Sequence, residues 1–217
     1  LVAQARPDIA LGVCIQVLQA QALIDDARQA GLHPLVREHL LAQVRGAIQR
    51  EQADRQLVSL VPKLLAWATA HEQAVERERT GRGWLSKEFI QFQAQARPPE
   101  MVKAFGERSL RERVGNAPEP VRRAVQLWDR HFAKFADAAN VQHLQAERLA
   151  CADFFKRVEK LPLTDEQVDA VVCFDSRVLL IASAGSGKTS TMVAKAGYAI
   201  HKGYFAPETI LLLAFNN

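Results

Sequence analysis

The chain has 217 residues, 48% hydrophobic and 24% charged, with only 11 Gly and 9 Pro, a composition that excludes bulk disorder and fibrous structure and allows one large domain or two small ones. No apolar run approaches the roughly 20 residues needed to span a bilayer, and the first thirty residues carry Asp8, Asp25 and Asp26 rather than a basic head and an apolar block, which excludes a transmembrane helix and a secretory signal. The net charge of +4 lies entirely in residues 1–150, with 21 Lys+Arg against 17 Asp+Glu, while residues 151–217 hold 7 of each.

Seventeen of those 21 basic residues are Arg, a side chain suited to phosphate, yet so small an excess reads first as a solvated helical surface. Cys14, Cys151 and Cys173 are odd in number and widely spaced, which argues against a disulfide framework or a cysteine zinc site and for a reducing, cytoplasmic setting. The first residue is Leu1 rather than Met, so further residues upstream are expected.

In chain order, residues 1–160 form a mainly α-helical N-terminal region. Leu11, Ile15, Leu18 and Ala22 recur at helical spacing before Gly31 and Pro34. Leu35 to Thr80 is a second helical stretch, with a kink or a new helix start expected at Pro62 and a flexible break at Gly81–Gly83. Ser86 is a plausible N-cap for a helix ending before Pro98 and Pro99. Val121, Val125, Trp128, Phe132, Phe135 and Ala139 step by three and four, the buried stripe of one helix that loses phase near Asn140, where a break is expected. Leu144, Cys151, Phe154, Phe155 and Val158 form a further apolar set before Pro162. Trp67, Trp84 and Trp128 fall in helical patterns and read as core, and six scattered His show no metal spacing.

From residue 161 the character changes to a short helix at Thr164–Val172, an apolar strand at Val178–Ala182, a glycine-rich loop, a helix at Lys188–His201 and a second strand at Ile210–Phe215. That order predicts the start of a P-loop, RecA-like parallel α/β domain over 161–217. Residues 182–189, Ala-Ser-Ala-Gly-Ser-Gly-Lys-Thr, match the phosphate-binding pattern G-x-x-x-x-G-K-[ST] with Ala182 at its first position. The assigned nucleotide-binding set is Ala182, Ser183, Ala184, Gly185, Ser186, Gly187, Lys188, Thr189 and Ser190. Glycines let successive backbone N–H groups converge on phosphate at a helix N-terminus, Lys188 supplies a mobile cation, and the Thr189 hydroxyl is placed to ligate Mg²⁺. Upstream, Thr164 and Gln167 have the spacing of a capping box, while a Gln amide can also match the donor and acceptor edge of adenine.

These motifs, with Phe154-Phe155, Val158-Glu159, Pro162-Leu163-Thr164, Pro207-Glu208 and Ile210-Leu-Leu-Leu-Ala-Phe-Asn-Asn217, make the run from Phe154 resemble superfamily 1 DNA helicases of the UvrD/Rep type, most closely their helicase IV branch. The resemblance implies that Ala182 is a normal loop residue, that Gln167 contacts adenine, that Lys188 and Thr189 serve ATP and Mg²⁺ in catalysis, and that Phe215 and Asn217 begin a motif lying against single-stranded DNA. It further implies an ATP-dependent helicase acting on single-stranded DNA or DNA junctions, without membrane association. An acidic motif, γ-phosphate arginines and a second RecA-like domain, which such a motor needs, are not found in these residues, so the chain is expected to be an N-terminal fragment that does not itself turn ATP over. The alternatives are a P-loop kinase or switch-type NTPase, and a non-catalytic helical module in which Arg108, Arg111, Arg113, Arg122 and Arg123 form a basic patch.

Overall fold

The computed structural model describes residues 34–183 and 185–213 together with positions 22 and 25. The expected helix around Leu11, Ile15 and Leu18 lies outside the described residues, as do Ala184 and 214–217. The described part is nine α-helices and one 3₁₀ turn: α1 Pro34–Gly81, α2 Lys87–Gln95, α3 Pro99–Ala104, α4 Arg108–Val114, α5 Glu119–Asp129, α6 Phe132–Ala150, α7 Ala152–Arg157, α8 Asp165–Val172, α9 Lys188–His201, and the turn Pro207–Thr209. Among them no helix is long and apolar enough to cross a membrane.

The chain divides into two compact units, one of residues 1–65 and 99–125, the other of 66–98 and 126–217. In the first, α1 buries Ala53, Leu57, Leu60 and Leu64, spaced by four, three and four, and the short helices and the turn after α3 contribute Met101, Phe105, Leu110 and Val114. Arg113 holds Asp54 through two bonds of 2.5 and 2.6 Å, and Lys63 meets Glu100 at 2.7 Å. Pro62 does not start a new helix, because α1 runs through it. A proline removes one backbone bond, and buried Leu60 and Leu64 on either side keep both halves anchored by packing, which is the stronger term.

In the second unit the last turns of α1 bring Trp67 edge-on to Trp128 at 4.9 Å and stacked with His71 at 5.3 Å. Ser86 caps α2 by accepting from Phe89 N, as expected. The stripe Val121–Ala139 is not one helix. It breaks at Arg130–His131, where the His131 ring accepts from Lys134 N and opens α6. No break occurs at Asn140, which is buried in mid-α6 because its amide meets an irregular segment: Oδ1 accepts from Leu85 N at 2.8 Å and Nδ2 donates to Leu85 O at 2.9 Å. A polar residue that looked like an interruption is a clamp.

Cys151, Phe155, Val168, Val171, Val172, Ala194 and Tyr198 form the core under α8 and α9, with Leu144, Phe154 and Val158 packed against it. The expected strands at Val178–Ala182 and Ile210–Phe215 are not strands in the described residues. A strand exists only through a ladder with neighbours, and these runs make none. Their exposure still alternates, high at Leu179, Ile181, Leu211 and Leu213 and lower at Val178, Leu180 and Leu212, the period-two signature of strand side chains with one face partly covered.

Candidate functional site

The glycine-rich segment is a tight turn feeding α9. Ser186 donates to the Ser183 carbonyl from its backbone N at 3.4 Å and from its hydroxyl at 2.7 Å. Gly185 and Gly187 have φ of +76° and +84°, left-handed values that cost any other L-residue about 1–2 kcal/mol. Gly187 is the N-cap of α9, and no side chain caps that end. The first-turn amides therefore form an uncapped, electropositive terminus. Lys188 is exposed and reaches back over the loop, its ammonium donating to Ala182 O at 2.9 Å and Ser183 O at 2.6 Å. Thr189 is exposed in the same turn and Ser190 is half-buried.

Gln167 stands beside this turn. The capping box is formed: Gln167 N donates to the Thr164 hydroxyl at 3.3 Å, and Gln167 Oε1 accepts from Thr164 N at 2.9 Å. The remaining Nε2 donates to Ser186 O at 3.2 Å, so the residue also braces the loop. A Cβ at Gly187 would sit 2.6 Å from that Nε2, a second reason for glycine there. Phe215 and Asn217 lie outside the described residues.

Two sets of polar side chains that sequence reasoning passed over hold α9. Lys195 Nζ donates to Ala170 O at 2.9 Å, Val171 O at 3.3 Å and Cys173 O, and burial pushes its ammonium below the ordinary lysine range. Glu147, buried on α6, accepts from Tyr198 OH at 2.7 Å, Lys202 Nζ at 2.8 Å and the Cys151 thiol at 3.3 Å. Burial alone would raise the Glu147 carboxyl, but those donors hold it below the usual value, while burial and the adjacent carboxylate push the Cys151 thiol and the Tyr198 hydroxyl up. The available signal was a lysine beside the α9 positions Thr191, Ala194 and Tyr198, which carry the buried stripe.

Four of the five arginines proposed as a patch are engaged within their own unit. Arg108 pairs with Glu112, Arg111 donates to Phe105 O at 2.6 Å, Arg113 holds Asp54 and Arg122 donates to Ala117 O at 3.1 Å.

The family model of the UvrD/REP helicase N-terminal domain matches residues 163–217, which include α8, the loop and α9. This part of the chain is similar to the N-terminal domain of UvrD-type helicases. Over 121 residues, half of this chain and 18% of the relative, it is 40% identical to DNA helicase IV of Escherichia coli (strain K12). That alignment is too long to fit within 163–217 and so takes in part of the helical region ahead of the UvrD-type segment. Over 55 residues, 25% of this chain and 8% of the relative, it is 44% identical to a probable DNA helicase II homolog of Mycoplasma capricolum subsp. capricolum. The chain thus spans less than a fifth of the length of either relative. No solved structure gives a significant match.

Proposed function

We propose that this chain is the N-terminal part of an ATP-dependent DNA helicase, with an α-helical accessory region over 1–160 and the beginning of a P-loop, RecA-like ATPase domain over 161–217. The observation that carries the nucleotide half is the uncapped α9 terminus behind two left-handed glycines, with the exposed Lys188 ammonium beside it. Phosphate oxygens suit this donor set. They accept from the first-turn amides, and they offer Lys188 a stronger, charged acceptor than the neutral carbonyls it now uses. Lys188 is then the phosphate cation and Thr189 the Mg²⁺ ligand, in keeping with a metal that takes few protein ligands. Bound Mg²⁺ would supply charge neutralisation on the phosphates.

In this reading Ala182, Ser183, Ala184, Gly185, Ser186, Gly187 and Ser190 shape the cradle. Gln167, at the edge of the loop, reads adenine by releasing its bonds to Thr164 N and Ser186 O, whose donor and acceptor pattern complements the base edge. Phe215 and Asn217 begin the segment that lies against single-stranded DNA, and stepping along that strand with duplex unwinding is the work to which hydrolysis is coupled. The period-two runs at 178–181 and 210–213 fit strands of such a domain once sheet neighbours pair with them.

The test is ATP hydrolysis by the full-length protein with and without single-stranded DNA. Strong stimulation by DNA, abolished by Lys188→Ala, is the expected result. Hydrolysis indifferent to DNA would overturn the helicase reading in favour of a small-molecule kinase or switch NTPase.

A further inference from the structure

We infer that Lys195 is a positioning residue for base recognition, a half-buried cation on α9 that locks the far end of α8 and thereby keeps Gln167 in register with the phosphate loop. The inference rests on the nucleotide reading above. Helix α8 has eight residues, and each of its ends is tied by side-chain bonds. At its start Gln167 joins Thr164 N to Ser186 O. At its finish Lys195 gathers Ala170 O, Val171 O and Cys173 O. The last carbonyls of a helix have no partner within it and carry the negative end of its dipole, so a cation from a neighbouring helix satisfies both their hydrogen bonding and their charge.

The ammonium also lies 4.8 Å from the centre of the Phe174 ring, and with burial displacing its water the carbonyls and ring face together replace hydration. Between the two ends Val168, Val171, Val172 and Ala194 are sealed, so α8 and α9 move as one piece while the cation is present. The clearance at the loop is small, since a single added carbon on Gly187 would already collide with Gln167 Nε2. Loss of the ammonium leaves the three carbonyls at the end of α8 without their cation, and α8 shifts to rehydrate them. That shift carries Gln167 with it. The phosphate-facing groups, Lys188 and the first-turn amides, belong to α9 and the loop, and the bond by which Gln167 braces that loop, to Ser186 O, is one that base binding releases in any case. Removing Lys195 should therefore cost base recognition and spare phosphate binding.

The experiment compares ATP, GTP and inorganic tripolyphosphate binding by calorimetry in the full-length protein carrying Lys195→Met, Lys195→Arg, Gln167→Ala, or Lys195→Met with Gln167→Ala. Lys195→Met is expected to weaken ATP about tenfold, to leave tripolyphosphate within about twofold, and to lower the ATP-to-GTP preference to that of Gln167→Ala. The double variant should be no weaker than Gln167→Ala alone, and Lys195→Arg should retain most of the preference. Equal loss of ATP and tripolyphosphate, or an unchanged ATP-to-GTP ratio, overturns the inference. Should Lys195→Met not fold, Lys195→Gln, which keeps a donor without the charge, is read by the same ratio. A wild-type protein that binds none of the three probes overturns the nucleotide reading and this inference with it, whereas normal wild-type preference with an unmoved variant ratio overturns only the role of Lys195.

Discussion

The polar groups of the helical region and those of the loop at 182–190 are used in opposite ways. In the helices, charged and amide side chains turn inward onto their own chain: Arg113 onto Asp54, Arg111 onto Phe105 O, Asn140 onto both backbone atoms of Leu85. At the loop, an exposed lysine leans on exposed carbonyls beside a helix terminus that nothing caps. Net charge does not mark the loop, because the positive excess lies in the first 150 residues and the loop sits in a neutral segment. What separates them is whether a donor already has a good acceptor. Counting arginines points to the helical region, whereas asking where each donor goes points to the loop.

The sharpest way to break this comparison is to exchange binding for stability. Lys188→Ala should weaken ATP on the order of a hundredfold, the scale of losing a charged donor aimed at an oxyanion, and leave the thermal midpoint unchanged because its present bonds are exposed. Arg113→Ala should do the reverse, lowering the midpoint and leaving ATP affinity alone. Calorimetry and thermal melting of the two variants decide it. A loss of ATP affinity in Arg113→Ala, or a large loss of stability in Lys188→Ala, would show that the two sets of donors are not divided as described.

A second test probes how far the helical interior depends on inward bonds. Asn140→Ala leaves Leu85 N and O unpaired in a buried setting, which should cost about 2–4 kcal/mol at two unsatisfied groups of about 1–3 kcal/mol each, part of it recovered by water. Urea unfolding measures it, and a cost under about 0.5 kcal/mol would mean that the clamp is dispensable.

Local features were legible in the sequence. The Ser86 cap, the Thr164–Gln167 box and the start and end of α9 each depend on residues within a turn or two of one another, and each appears as expected. The positive φ at Gly185 and Gly187 follows from the same short spacing. Features that depend on distant partners were not legible. Asn140 looked like a helix interruption because its partner lies 55 residues away in sequence. The break at Arg130–His131 has neither glycine nor proline to announce it, and a histidine ring is an unusual cap. The two apolar runs have strand periodicity, but a ladder is a property of neighbours and cannot be read from one segment. Lys195 was passed over because a lysine in a helix normally faces water, and the partners that draw it partly inward, the carbonyl end of α8 and the Phe174 ring, lie some twenty residues away in sequence.

The smallest expected effect is a dependence of stability on pH, and it tests whether the interior histidines are truly withdrawn from water. Burial holds His71 below the ordinary histidine value; its bond to Gln93 Oε1 opposes this, Arg97 and Arg130 reinforce it, and Glu72 opposes it weakly. Gln93 Oε1 can only accept, so the 2.7 Å bond requires a proton on His71 Nδ1, which the neutral ring supplies. Burial likewise lowers His143, against a nearby Glu147 and with Lys202, and its Nε2 is sealed without a hydrogen-bond partner. Each ring is favoured neutral in the folded state, so the unfolded chain takes up protons first as pH falls. Stability is therefore full above about pH 6.5, the unfolded histidine value, and declines below it until the folded rings protonate as well. The slope cannot exceed about 1.4 kcal/mol per pH unit for each ring. Carboxylates held low, such as Glu147, lose their contribution only at more acidic pH, so urea midpoints between pH 7.5 and 5.5 isolate the histidines. The midpoint should fall across that interval and flatten in His71→Gln with His143→Gln; a midpoint already flat in the unmutated protein would mean that both rings remain in contact with water.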